Sequence, residues 1–190
     1  MNIIISAVGG QGAILASKII GKVSILSNRD VKISEVHGMA QRGGSVICHI
    51  RYDEDKVYSP IVEKGRADII LAFEKLEGFR NLSFLKQNGK LILNDHEIEP
   101  MTVKNNDDIY PKNIIDYLNK LDLDLISVKA NRIAFDIGNI KIMNVILLGI
   151  LANETNFKIK LWRKALKEVI PKKYLDINLK AFEAGLNYNN

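Results

Sequence analysis

The stretch N-I-I-I-S-A-V-G-G-Q-G, Asn2 to Gly12, decides how this chain is read. Asn2 to Val8 is a continuous apolar and β-branched run, the pattern of a buried parallel strand. Gly9-Gly10-Gln11-Gly12 then turns the chain. From Ala13 to Ser27, Leu15, Ile19, Val23 and Leu26 recur at helical spacing, so one helix face is apolar. Asn28-Arg29-Asp30 ends that helix, and Val31 to Val36 reads as a second strand. Strand, turn, helix and strand in this order form the crossover unit of α/β folds.

The next segment, S-E-V-H-G-M-A-Q-R-G-G-S-V from Ser34 to Val46, places a polar, glycine-punctuated loop between two strands. Ser45 to Tyr52 alternates Val46, Cys48, Ile50 and Tyr52 with Ile47, His49 and Arg51, a strand pattern. Asp53 to Lys56 reads as a tight turn and Val57 to Ile61 as a short strand pairing back in a hairpin, which predicts a mixed sheet. Ala67 to Phe73 is another buried strand, and Glu74 to Leu85 a helical connection. Asn88-Gly89 signals a turn before a strand at Lys90 to Asn94. Glu99 to Asp108 reads as irregular. Pro111 is placed at the first position of a helix over Lys112 to Leu121, followed by a strand at Leu123 to Lys129. From Asn131 the chain reads as helical, with a nearly all-apolar central helix at Ile140 to Leu151, an amphipathic one at Leu161 to Val169, a break at Pro171 and a last helix at Leu175 to Leu186. The expectation is one domain over residues 1–190: a three-layer α/β/α sandwich with a mixed, mostly parallel sheet and a Rossmann-like opening.

Composition bounds the function. The 190 residues are 47% hydrophobic and 26% charged, ordinary for a globular chain with a sizeable core. The opening residues lack a basic n-region, and the longest apolar run, Val145 to Ala152, is too short to span a bilayer, so a cytoplasmic protein with no membrane partner is expected. Cys48 is the one cysteine. It forms no internal disulfide, and a cysteine-ligated iron–sulfur cluster needs about four thiolates. The net charge of +5 is spread out with few interleaved aromatics, which reads as solvated surface and not as a nucleic-acid footprint.

The glycine turn exposes backbone N–H groups at a helix start, a setting that favours phosphate. It matches the dinucleotide fingerprint only in part. Gly10-Gln11-Gly12 lacks the third glycine, although Glu35 stands where a ribose-binding carboxylate belongs. The lysine and hydroxyl of a P-loop are missing too, since Ala13 follows Gly12. Taken alone, the turn is read equally well as a phosphate cradle or as a packing turn. In the central loop, Gly38, Gly43 and Gly44 allow close backbone approach. His37 supplies a titratable group, Gln41 an amide and Arg42 a fork of donors suited to phosphate or carboxylate. The Met39-Ala40 tip suits burial against a partner. His49 reads as packed or exposed, Cys48 as core, and Asp95-His96-Glu97 as a poor metal site. No Gly-x-Ser-x-Gly elbow or triad order exists, so no catalytic residue and no metal site is assigned.

Together V-G-G-Q-G (Val8 to Gly12), S-E-V-H-G-M-A-Q-R-G-G (Ser34 to Gly44), Y-S-P-I (Tyr58 to Ile61), A-D-I-I-L-A-F-E (Ala67 to Glu74), P-K-K (Pro171 to Lys173) and N-L-K-A-F-E (Asn178 to Glu183) resemble the gamma-type domain of 2-oxoacid:ferredoxin oxidoreductases, its indolepyruvate branch in particular. That resemblance implies oxidative decarboxylation of an arylpyruvate on thiamine pyrophosphate, with electrons passing through iron–sulfur clusters to ferredoxin and the acyl group to coenzyme A. Thiamine, its magnesium and the clusters then belong to a larger alpha subunit, and this chain carries no Gly-Asp-Gly thiamine–metal motif. Gly9, Gly10, Gln11, Gly12, Arg42, Gly43 and Gly44 become candidates for coenzyme A phosphates. Glu35, His37, Gly38, Met39 and Gln41 become the loop that faces the partner's active site. The isolated chain is expected to be inactive and able to pair as a homodimer. Two other readings stay open: a stand-alone nucleotide-binding module using Gly9 to Gly12 and Glu35, and a scaffold subunit.

Overall fold

The computed structural model describes residues 1–38, 43–99 and 110–188. Six strands form one sheet: β1 (Asn2–Val8), β2 (Asp30–His37), β3 (Ser45–Asp53), β4 (Ala67–Ala72), β5 (Leu85–Asn94) and β6 (Asp124–Val128), in the order β2-β3-β1-β4-β5-β6. β1, β4, β5 and β6 pair in parallel, and β3 runs antiparallel to both of its neighbours, β1 and β2. β1 is therefore interior, which is why its Ile3, Ile4 and Ile5 are fully buried. Side chains alternate along it between two cores. Ile3 and Ile5 face the helices α1 (Ala13–Leu26), α4 (Ala130–Ile137), α5 (Met143–Asn153), α6 (Ile159–Val169) and α7 (Lys172–Leu186). Ile4 faces the shorter helices α2 (Lys75–Arg80) and α3 (Ile114–Leu118).

The helices differ as their sequences do. α5 is buried from Met143 through Ala152, as an all-round apolar helix must be. It crosses α7 where Gly149 and Gly185 meet, and a Cβ on either would collide with the other helix's backbone. α6 buries Trp162, Ala165 and Leu166 and leaves Lys160, Lys164 and Lys167 in solvent.

Three expectations fail. Val57 to Ile61 carries no strand. β3 already has a partner on each side, so no edge is free for a hairpin, and Pro60 offers no N–H to a ladder. The sheet is mixed because β3 slots between β1 and β2. Pro111 does not open a helix: α3 starts at Ile114 behind an Asn113 cap and lasts five residues. Asn88-Gly89 lies inside β5, where Asn88 takes φ 58° and the pairing with β4 shifts register. Most of Glu99 to Asp108 falls outside the described residues.

Candidate functional site

From β1 the chain leaves through α1 toward β2 on one side of the sheet. From β4 it leaves through α2 toward β5 on the other. The carboxyl ends of β1 and β4 thus flank a topological switch point, where open α/β sheets leave a crevice. Gly9 to Gly12 occupies the β1 side. Gln11 fastens it across the gap: its Oε1 accepts from the Val8 N–H at 2.7 Å, and its Nε2 donates to the Phe73 carbonyl at 3.0 Å. Gly12 caps α1 at φ 84° with no side-chain cap, so the leading N–H groups of the helix keep no intrahelical acceptor and no side-chain acceptor among the described residues.

A cavity of about 420 Å³ opens beside this turn, lined among others by Gly10, Gly12, His96, Asn131, Lys141 and Asn144. The first turns of α1, α4 and α5 all reach it. Partial positive charge from helix N-termini and the ammonium of Lys141 make it a setting for an anion. Asn94, fully buried at the end of β5, braces Asn131 from behind the lining. Its Nδ2 donates to the Phe73 carbonyl and to Asn131 Oδ1, and its Oδ1 accepts from the Ala130 N–H. Asn144 donates from Nδ2 to the Gly12 carbonyl at 3.3 Å, and a Cβ at Gly12 would strike that amide. Asn144 Oδ1 is buried with no hydrogen-bond partner among the described residues.

The base of the central loop meets the glycine turn backbone to backbone. The Gly9 N–H donates to the Gly44 carbonyl at 2.8 Å, and the Gly38 N–H to the Ser45 carbonyl at 2.8 Å. Beneath lie the buried carboxylates of Glu74 and Glu77. Glu74 caps α2 through the Glu77 N–H and accepts from Tyr110 Oη at 2.5 Å and the Ile98 N–H at 3.3 Å. Burial, then the bond to Glu74, pushes the Tyr110 hydroxyl well above the usual tyrosine range. Glu77 accepts from Ser45 Oγ at 2.5 Å and pairs with Arg80 at 2.9 Å.

Residues 2–188 match the family described as pyruvate ferredoxin/flavodoxin oxidoreductase. The chain belongs to this family. Indolepyruvate oxidoreductase subunit IorB of Thermococcus kodakarensis is 37% identical over 97% of this chain and 94% of its own length. The gamma subunit of a keto/oxoacid ferredoxin oxidoreductase from Geobacter sulfurreducens shares the fold at TM-score 0.73 and 22% identity, covering 97% of this chain and 95% of that one. The 2-oxoglutarate:ferredoxin oxidoreductase of Magnetococcus marinus, solved with 2-oxoglutarate, coenzyme A and succinyl-CoA bound, aligns at TM-score 0.77 and 18% identity, over 98% of this chain and 30% of that one.

In this member of the pyruvate ferredoxin/flavodoxin oxidoreductase family, the structure joins only part of what the sequence singled out. Gly9 to Gly12 and Gly43-Gly44 come together. His37 and Gly38 are exposed at the end of β2. Met39, Gln41 and Arg42 lie outside the described residues. Glu35 points away from the cavity, under α1, and accepts from Ser17 Oγ at 3.1 Å. Gln11 spends its amide on the turn itself. Cys48 is core, its thiol pushed up to about 12 by burial and then by the charge of Glu35. Asp95 and Glu97 both pair with Lys75, at 3.3 and 2.5 Å, while His96 lines the cavity. Sequence reasoning missed Asn131, Lys141 and Asn144. The one local signal was Asn144, a polar residue inside an apolar helix. No described helix is long and apolar enough to cross a membrane.

Proposed function

We propose that this chain is the small subunit of an arylpyruvate (indolepyruvate):ferredoxin oxidoreductase and that it holds the phosphates of coenzyme A at the glycine turn. The observation that carries the site is the cavity at the switch point, where three helix N-termini and Lys141 converge beside Gly10 and Gly12. The family membership and the 37% identity to an IorB subunit support the reaction class. One cysteine in 190 residues leaves the iron–sulfur clusters, with thiamine pyrophosphate and magnesium, to a larger alpha subunit that also reaches ferredoxin. Lys141, the leading N–H groups of α1 and Arg42 would take the phosphates. The stand-alone nucleotide module loses its ribose carboxylate, because Glu35 is turned to Ser17.

The test is a reconstituted complex with the alpha subunit. Decarboxylation on thiamine needs no coenzyme A, whereas acyl release does. Lys141→Ala and Arg42→Ala each remove a charge-assisted contact of about 1.5–3 kcal/mol, so the coenzyme A requirement should rise roughly ten- to hundredfold. Arg42→Lys should restore it in part, since the charge stays and the planar fork goes. Cluster reduction by the 2-oxoacid without coenzyme A should hold. A parallel loss of both half-reactions would make these assembly residues.

A further inference from the structure

We propose that Glu77 is a positioning residue for this site: from beneath the sheet end it clasps Ser45 and so holds the loop base against the glycine turn. Its root is rigid. The Glu77 N–H donates to Glu74 Oε2 at 2.8 Å, and its carbonyl accepts from Ser6 Oγ at 2.7 Å and Asn81 Nδ2 at 2.9 Å. Ser6 is interior to β1 and Asn81 is buried after α2, so the side chain starts from a fixed point on packed elements. One carboxylate oxygen takes the Ser45 hydroxyl at 2.5 Å and the other takes Arg80. A buried carboxylate is costly unless its partners are well placed, and the bond to Ser45 is charge-assisted, hence short and directional.

Ser45 is where the clasp acts. It pairs with Val8 in the β1–β3 ladder. Its own carbonyl receives the Gly38 N–H, and the preceding carbonyl, on Gly44, receives the Gly9 N–H. Fixing Ser45 Oγ therefore sets the peptide that meets the turn. Glu77 stays out of the cavity lining. It acts through Ser45 and Gly44 on Gly9.

The inference rests on the reading that the turn holds coenzyme A, and the test separates the two. In the full chain, amide hydrogen exchange at Gly9 and Gly38 should quicken by about three- to tenfold in Ser45→Ala and in Glu77→Gln, less than the roughly ten- to hundredfold worth of the charge-assisted bond itself because the clasp reaches these amides only through Ser45, with Ile70 and Leu71 of β4 unchanged. In the reconstituted complex the half-saturating coenzyme A concentration should rise by about the same factor while the maximal rate moves less than about twofold. Ser45→Thr, which keeps the hydroxyl, should restore both. Unchanged exchange at Gly9 and Gly38 would overturn the clasp, and so would equal quickening in β4, which marks a plain loss of stability. Faster exchange at the two glycines with an unaltered coenzyme A requirement would leave the clasp standing and remove coenzyme A from the turn. Should Glu77→Gln fail to fold, Ser45→Ala carries the test.

Discussion

The two faces of the sheet bury different things. Under α1 and α4 to α7 lie Trp162, Phe182, Ile146 and Leu147 with no charged group among the buried residues described there. Under α2 and α3 the apolar layer is thinner, and it shares the face with Ser6, His49, Glu77 and Asn81, while Glu74 closes the end of β4. Apolar burial is non-directional and stabilises in proportion to area. Buried polar groups are directional and costly when mispaired. The thick face is thus suited to keeping the chain folded, and the thin one to fixing where the loops at the crevice sit.

The largest effect should come from breaking the thick face. Gly149→Val or Gly185→Val drives a side chain into the opposing helix backbone, and the expected result is loss of the folded state. Phe182→Ala, which leaves a cavity beside Trp162, should cost about 3–5 kcal/mol in a urea or guanidinium titration. If either glycine accepts valine with an unchanged midpoint, the helices do not cross as described.

A smaller, pH-dependent effect belongs to the thin face. His49 is buried, stacks edge-on against Phe84 and accepts the Val62 N–H on Nδ1 at 3.2 Å. Burial holds its pKa below the usual histidine value of 6.5. The unfolded chain therefore binds this proton first as pH falls. Stability present above about pH 6.5 should decline below it, by at most about 1.4 kcal/mol per pH unit for one proton. His49→Phe should flatten that slope between neutrality and mild acid. A slope that persists in this variant would assign it to other groups.

The smallest effect tests the outer surface of the thick face. Arg163 pairs with Glu183 through two bonds, at 2.7 and 2.9 Å, with both side chains substantially exposed. Arg163→Ala should change stability by about 0.2–1 kcal/mol, less in high salt. A loss of several kcal/mol would place real cohesion in a surface that the burial pattern marks as dispensable.

What was legible followed from period and range. β1, α1, β4, β6 and α5 to α7 announce themselves in local patterns of two or 3.6 residues, whereas the sequence reads seven strands and the sheet holds six, because Val57 to Ile61 carries none. The hairpin at Val57 to Ile61 failed because whether β3 has a free edge depends on β2, a strand joined across the loop, and no local pattern records that. The glycine turn was legible as a turn. Its cavity was not, because Asn131, Lys141 and Asn144 approach Gly12 only through folding, across more than a hundred residues. Glu74 and Glu77 read as ordinary acids of a short connecting helix, and burial alone sets them apart. Glu35 misled for the opposite reason: its spacing fits a ribose carboxylate, but its place in the register faces it inward beside Cys48.

The insertion of β3 between β1 and β2 has a consequence for synthesis. β1 and β2 lie two strand spacings apart, about 9–10 Å, and share no ladder. While the first 44 residues are being made, neither strand has a neighbour to pair with. The glycine turn emerges long before the Gly44 carbonyl that receives it. A nascent chain stalled before Ser45 therefore presents two unpaired strands, one of them with three consecutive isoleucines. β3 is what joins β1 to β2, and it carries Ser45, next to the Gly44 carbonyl that receives the turn.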